Sequence, residues 1–273
     1  MAQRKLDMGK AWTQATGMIG ANRDLVGVLA GLFLFIPLFI LVYALFTGGL
    51  DLGGGGSEPD PQRVAAEVNA FLLANWWALL IAALGQLAGG IAILALLGDP
   101  DRPTVREVLG RVLRLIGPVV LAQLLVALVT QMPSLLAGLF PEPAAAALSL
   151  VALPVTIYLT IKFSLTSAVI VLGRQGNPLK ALRGSWQLTK GNSFRLFAFF
   201  AMLTLLGAVI ALIVMLVIGL VLSAAGDRIA VIGNAAMLSL LLTAFYTLSS
   251  ALIAAIHRQL SSALPDEEAD LFG

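Results

Sequence analysis

The chain has 273 residues, of which 59% are hydrophobic and only 12% are charged, and its formal net charge is +2. A soluble domain carries about twice that charged fraction, so the composition excludes a soluble globule and indicates an integral membrane protein. The chain has no cysteine, so disulfides, thiolate nucleophiles and cysteine metal sites are excluded. Its sole histidine is His257.

Six apolar stretches are long enough to cross a bilayer. A helix needs about 20 apolar residues to cross the hydrocarbon core, and lipid offers unpaired backbone groups no partner, so each stretch is predicted to be a helix. The predicted spans are 25–46, 71–97, 116–140, 149–172, 196–224 and 229–256. The 48–70 connection is rich in glycine and proline, so we expect a flexible loop there. The acidic tail, 261–273, is expected to be disordered and cytoplasmic.

Lys and Arg alternate between successive connections. The N-terminal segment, the 98–115 and 173–195 connections and the end of the last span are basic, whereas the three other connections carry at most one basic residue each. Because basic connections stay in the cytoplasm, the pattern predicts that both termini are cytoplasmic. We therefore expect a multi-pass protein of the bacterial inner membrane.

Three of the basic segments have the pattern of an amphipathic helix that lies in the membrane interface. The residues that can begin these helices are Asp7, Thr104 with Glu107, and Asn177 with Pro178. Each helix is followed by a span, an outer turn and a second span. The fold class is therefore predicted to be an all-α membrane protein with six transmembrane helices and three interfacial helices. A single domain, 1–260, would contain three repeats, at 7–98, 103–173 and 177–258.

Residues 158–199 combine a basic residue inside an apolar span with a motif in the following connection. The basic residue is Lys162, and the motif reads A-L-R-G-S-W-Q-L-T-K-G-N over residues 181–192. This arrangement resembles the membrane domain of bacterial glycerophosphoryl diester phosphodiesterases, which also occurs as a stand-alone membrane protein. The resemblance implies a multi-span inner-membrane protein without phosphodiesterase activity, because that activity belongs to a separate soluble barrel domain. The family's basic residue is commonly arginine, and a lysine keeps the charge but loses the guanidinium fork.

Lys162 is the most unusual residue of the fourth span. If that span ends near Gly173, Lys162 lies about 16 Å from the end, near mid-core, where a lysine costs about 2.5–3.5 kcal/mol. All fifteen Asp and Glu residues lie in or beside loops, so no carboxylate is available to neutralise it. Three roles stay open: a structural hydrogen-bond hub, a contact to a lipid phosphate or another anion, and a place in a transport pathway. The predicted intramembrane polar network consists of Tyr158, Lys162, Thr166, Gln86, Gln123, Gln131 and Asn234.

Other residues are candidates for membrane contact or helix packing. One set of basic residues either only orients the protein in the membrane or also binds anionic lipid. It consists of Lys162, Arg174, Lys180, Arg183, Lys190 and Arg195.

Trp12 and Trp186 are predicted interfacial anchors. Gly85 and Gly89 form a G-x-x-x-G pattern that permits close helix packing inside the monomer. Prolines at 118, 133 and 154 are predicted to kink the third and fourth spans.

The sequence contains no catalytic constellation, no metal-ligand pattern and no cofactor motif, so we expect neither an enzyme nor a metalloprotein. The leading interpretation is a membrane scaffold or lipid-interacting domain. Its partners would be anionic phospholipids of the cytoplasmic leaflet, and nothing points to nucleic acid. The alternative is a transporter or channel for a small anionic or amphiphilic solute with Lys162 in its pathway. The spans lack the Asp, Glu or His that a proton-coupled transporter normally keeps, apart from His257 at the end of the last span.

Overall fold

A computed structural model describes residues 5–48, 61–98, 104–141 and 143–261, which are helical apart from short connections. The helices are α1 (Met8–Ala21), α2 (Arg23–Ala30), a π-helical turn (Gly31–Phe35), α3 (Ile36–Thr47), α4 (Pro61–Ala74), α5 (Trp76–Gly98), α6 (Val105–Ala137), α7 (Ala144–Phe163), α8 (Thr166–Val171), α9 (Pro178–Thr189), α10 (Ser193–Ser223) and α11 (Asp227–Ser261).

Six helical segments among the described residues are long and apolar enough to span a membrane, which confirms the predicted fold class. They are Arg23–Thr47, Trp76–Gly98, Val105–Ala137, Ala144–Val171, Ser193–Ser223 and Asp227–Ser261. The first and third predicted interfacial helices are separate elements, α1 and α9. The second is not separate, because α6 continues from Val105 without a break into the third span.

The predicted helix starts are present. Asp7 accepts a hydrogen bond from the Lys10 N–H at 2.9 Å, and Asn177 accepts from the Leu179 N–H at 3.0 Å. Thr104 and Glu107 form the reciprocal capping box before α6. These side chains satisfy backbone N–H groups that the first turn of a helix leaves without intrahelical partners.

The prediction of an unpaired loop over 48–70 is wrong for residues 61–70, which belong to α4. Arg63 and Glu67 form an i,i+4 ion pair at 2.9 Å, and the Phe71 side chain is buried. A Cβ atom added to Gly48 would lie 2.9 Å from the Phe71 ring, so the helix docks closely on the end of the first span. Residues 49–60 of the predicted loop and 262–273 of the predicted tail lie outside the described residues.

The chain divides into two compact units. One combines the chain up to Arg23 with Ile91–Leu203 and the chain from Leu248 onward; the other combines Asp24–Gly90 with Thr204–Thr247. Every Lys and Arg residue that the structure describes belongs to the first unit, apart from Arg63 and Arg228. We call the first the basic unit and the second the apolar unit.

The basic unit has a densely buried core. Residues 91–97 of α5 are at most 3% exposed, and residues 168–171 of α8 are buried as well. Ala11 and Ala15 of α1 and Ala181 of α9 are fully buried. The amphipathic helices α1 and α9 therefore use their small residues to pack on other parts of the chain.

The apolar unit packs its helices through glycine. A Cβ atom at Gly85 would lie 2.6 Å from the Phe33 carbonyl oxygen and from Cγ of Pro37, and one at Gly89 would lie 2.6 Å from Cδ2 of Leu34. The G-x-x-x-G pattern of α5 thus faces the first span within the same chain. Many leucines of this unit, among them Leu220, are exposed, as expected for a surface that faces lipid.

Candidate functional site

The fourth span is interrupted beside Lys162. The helical conformation of α7 continues through Pro154, ends at Phe163 and resumes with α8 at Thr166. At the break, the Ser164 hydroxyl donates to the Ile161 carbonyl and the Thr166 hydroxyl to the Phe163 carbonyl, both at 2.8 Å. Side-chain hydroxyls therefore satisfy carbonyls near the point where the regular helical ladder stops.

Ser185 of α9 bridges the same break. Its hydroxyl donates to the Lys162 carbonyl at 2.8 Å and accepts from the Leu165 N–H at 3.2 Å. The Thr189 hydroxyl lies 3.4 Å from that carbonyl and also donates to the Ser185 carbonyl at 2.9 Å. Ser185 and Thr189 are both fully buried. Two hydroxyls of the S-W-x-L-T motif thus stabilise an interruption in a different helix.

The Lys162 side chain is enclosed by aromatic rings. Its Nζ atom lies 5.0 Å from the ring centroid of Trp186 and 5.5 Å from that of Tyr158, and the residue is 3% exposed. The two rings are perpendicular to each other with centroids 6.0 Å apart, and the Phe163 ring lies 5.7 Å from Trp186. Among the described residues, no carboxylate and no hydrogen-bond acceptor pairs with Nζ. Cation–π attraction is therefore the direct stabilisation that this cation receives from the described part of the chain.

The helix break divides the fourth candidate span just after Lys162. The 20 residues of α7 would cover about 30 Å, the thickness of a hydrocarbon core, so α7 is by itself long enough to cross the bilayer. The following residues of α8 are buried inside the basic unit and pack against α6 and α9. Lys162 therefore lies near the end of α7, beside the amphipathic helix α9. Its depth in a bilayer stays a prediction, because the fourth candidate span, Ala144–Val171, includes α8 as well as α7.

The glycine and asparagine that end the motif hold the N-terminal segment. Gly191 has φ of +77°, a left-handed conformation that favours glycine. The buried side chain of Asn192 accepts a hydrogen bond from the Leu6 N–H at 2.9 Å, and Arg195 donates to the Leu6 carbonyl at 3.3 Å. The predicted lipid contact Arg195 is thus half-buried and bound to backbone.

A groove lies beside the aromatic rings, between α7 and the first turns of α10. Its volume is about 410 Å³. It is lined by Pro154, Ile157, Tyr158, Ile161, Ser193, Phe194 and Phe197. Tyr158 belongs both to the groove wall and to the surroundings of Lys162. Apart from the hydroxyls of Tyr158 and Ser193, the lining side chains are apolar.

The remaining basic residues of the predicted set are exposed. They are Arg174, Lys180, Arg183 and Lys190, on α9 and its two flanks. No Asp or Glu occurs between residues 143 and 226. The surface around α9 therefore has strong positive charge without an acidic residue from this part of the chain.

The predicted polar network is dispersed over the molecule. Tyr158 contacts Lys162 through its ring, whereas Thr166 bonds locally and Gln123 donates to the Ser167 hydroxyl at 3.0 Å. Gln131 is exposed on α6. Gln86 and Asn234 belong to the apolar unit, where Oδ1 of Asn234 is buried without a hydrogen-bond partner among the described residues. A common network around Lys162 stays a prediction.

The two predicted interfacial anchors differ in their surroundings. Both are exposed, Trp12 on α1 and Trp186 on α9, but Trp186 also packs over Lys162.

The structural roles of three motif residues were not predicted from the sequence. These residues are Ser185, Thr189 and Asn192. The available signal was a pair of hydroxyls at i,i+4 spacing in a helix that follows an apolar span, together with an asparagine after a glycine. No sequence pattern states which distant backbone group such a side chain will bind.

A comparison with known protein families matches the region of the chain that contains this motif. The family model described as the membrane domain of glycerophosphoryl diester phosphodiesterase matches residues 110–269, which include α7, α8, α9 and α10. No curated protein and no solved structure matches the chain. Because the matched region covers more than half of the chain, this protein belongs to the family of glycerophosphoryl diester phosphodiesterase membrane domains.

Proposed function

We propose that this protein is a non-enzymatic membrane domain that binds anionic phospholipid headgroups through the surface around α9. The observation that carries the proposal is the exposed cluster of Arg174, Lys180, Arg183 and Lys190 in a region without Asp or Glu. Each basic residue near an anionic headgroup layer contributes about 1 kcal/mol of attraction. Four such residues, in a region of the chain without Asp or Glu, therefore favour a membrane leaflet rich in anionic lipid.

The distribution of charge over the two units supports an orientation for this contact. Because nearly all described Lys and Arg residues belong to the basic unit, the positive-inside rule assigns the basic segments of that unit, such as α9, to the cytoplasmic face of a bacterial inner membrane. The anionic lipids would then be those of the cytoplasmic leaflet.

The chemistry of the groove supports a lipid role over a solute pathway. Its lining is apolar except for two hydroxyls, which suits a hydrocarbon chain better than a hydrated anion. The proposed absence of catalysis is supported by the matched family, whose description names the membrane domain. The sole histidine, His257, is buried within α11, which does not suit it to act on a substrate.

The test compares two exposed arginines in nanodiscs. Wild-type protein is expected to melt at a higher temperature in phosphatidylcholine nanodiscs that contain phosphatidylglycerol than in phosphatidylcholine alone. Arg183→Gln should reduce this lipid-dependent gain by about 1 kcal/mol, because one basic residue near the headgroups is lost. Arg228→Gln removes the same charge in the apolar unit, where Asp227 adjoins it, and should reduce the gain less than Arg183→Gln does. Equal melting of wild type in the two lipids would exclude the proposed function.

A further inference from the structure

The groove between α7 and α10 has a defined direction. Because α7 ends at Phe163 in contact with α9, and α10 begins just after α9, Ile161 and Ser193 stand at the groove end nearest α9. Pro154 and Phe197 line the opposite, deeper end. The groove thus leads from the basic surface along the membrane-spanning length of α7.

A buried cation lies behind the groove wall, with its Nζ atom 5.5 Å from the ring centroid of Tyr158. Lys162 is buried and has no anionic partner among the described residues. Lys190 follows α9 directly and is exposed, and no Asp or Glu occurs between residues 143 and 226. The N-terminus of the 31-residue α10 adds the positive end of a helix dipole beside Ser193. A buried, unpaired cation is costly, and an external anion would compensate it.

The aromatic rings over Lys162 stand between the ammonium and the protein surface. Tyr158 is 47% exposed and Trp186 is 38% exposed, so each ring has a free side. Rotamer changes of exposed side chains occur on the picosecond to nanosecond scale. Rotation of either ring would admit a phosphate oxygen to Nζ, while the apolar part of the same ligand stays in the groove.

We propose that one anionic phospholipid binds at this place, with an acyl chain in the groove and its phosphate beside Lys162. This inference rests on the proposed function and adds to it a single built site. The groove volume of about 410 Å³ falls in the range of ligand pockets. Residues 143–226 include six Lys and Arg residues and no Asp or Glu. A phospholipid matches both the apolar wall and the cation, whereas a free phosphate matches only the cation.

The experiment is native mass spectrometry of the full chain purified in detergent. The probes are phosphatidylglycerol, phosphatidylcholine with the same chains, and inorganic phosphate. Wild type is expected to retain one phosphatidylglycerol per chain and neither of the other two probes. Lys162→Met should weaken that retention about tenfold, and Lys162→Arg should restore it because the charge returns.

A groove variant tests the acyl-chain half of the site. Ile157→Trp fills the groove without changing the charge and should also release the lipid. The control is Val155→Trp, which should retain the lipid because Val155 is equally exposed on α7 but does not line the groove. Equal retention by wild type and Ile157→Trp would overturn the proposal. Retention of phosphate alone by wild type would also overturn it, since the site would then recognise an anion without a chain. If Lys162→Met fails to fold, Lys162→Arg and the two tryptophan variants decide the result.

Lipid binding by the surface and by the groove can be told apart. Arg183→Gln should lower the lipid-dependent melting gain in nanodiscs and still retain the single phosphatidylglycerol. A normal melting gain without any retained lipid would overturn the groove site and leave the surface function standing. Retained lipid without a melting gain would overturn the surface function and leave the groove site standing.

Discussion

The basic unit and the apolar unit hold their helices together by different physical means. In the basic unit, buried side chains bond to distant backbone, as Ser185 does to the fourth span and Asn192 to Leu6. In the apolar unit, glycines bring helix backbones close together, as Gly85 does against the first span. The difference follows from the local backbone. Where a span is broken, peptide groups need partners; where helices are continuous, dispersion between close surfaces is the attraction available in lipid.

Each unit also presents a different surface. Exposed cations surround α9 in the basic unit, whereas exposed leucines such as Leu216 and Leu220 follow one another along α10 in the apolar unit. The proposed contact with anionic lipid therefore concerns the basic unit. Membrane-spanning length is shared, since the spans Val105–Ala137 and Ala144–Val171 belong wholly to the basic unit.

The largest effect is expected at the glycine contact of the apolar unit. Gly85→Ala would place a Cβ atom 2.6 Å from the Phe33 carbonyl oxygen and from the Pro37 ring, groups that cannot rotate away. The free energy of unfolding should fall by about 3 kcal/mol. A Cβ atom added at Gly90 would meet no described atom within 4 Å, so Gly90→Ala is the matched control and should not destabilise. Unfolding in mixed detergent micelles measures both, and equal stability of the two variants would refute glycine-mediated packing.

A smaller loss is expected when the bridge across the broken span is removed. Ser185→Ala leaves the buried Lys162 carbonyl and Leu165 N–H without their shared partner and should cost about 2 kcal/mol. Hydrogen exchange at the Leu165 amide should accelerate at the same time. Thr160→Ala removes an exposed hydroxyl that bonds to Thr156 of its own helix and should change stability little. Unchanged exchange at Leu165 in Ser185→Ala would show that the bridge does not hold the break.

The smallest effect concerns the aromatic contact of Lys162. A double-mutant cycle of Trp186→Leu and Lys162→Met should give a coupling free energy of about 1 kcal/mol, the size of a partly desolvated cation–π contact. The same cycle with Trp12→Leu should give no coupling, because Trp12 belongs to α1 and the described rings over Lys162 are those of Tyr158 and Trp186. Thermal melts in detergent supply the four stabilities of each cycle. Equal coupling in the two cycles would mean that the energy does not arise from the ring.

Local patterns in the sequence are enough to predict the class of protein, the six spans, the helix starts at Asp7, Thr104 and Asn177, and the family. About 20 apolar residues make a span wherever they occur, and a capping side chain acts within three residues of itself. The same local reasoning missed α4, because glycine and proline at the start of the 48–70 connection dominated its interpretation.

The surroundings of Lys162 and its motif depend on contacts between distant parts of the chain. The break at Ser164 and Leu165 is bridged by Ser185, which stands 20 residues after Leu165 and on another helix. The break after Lys162 was not predicted for the same reason, since the residues that follow it pack against α6 and α9. Periodicity reports which face of one helix is apolar, but it carries no information on which distant backbone group a buried hydroxyl will meet.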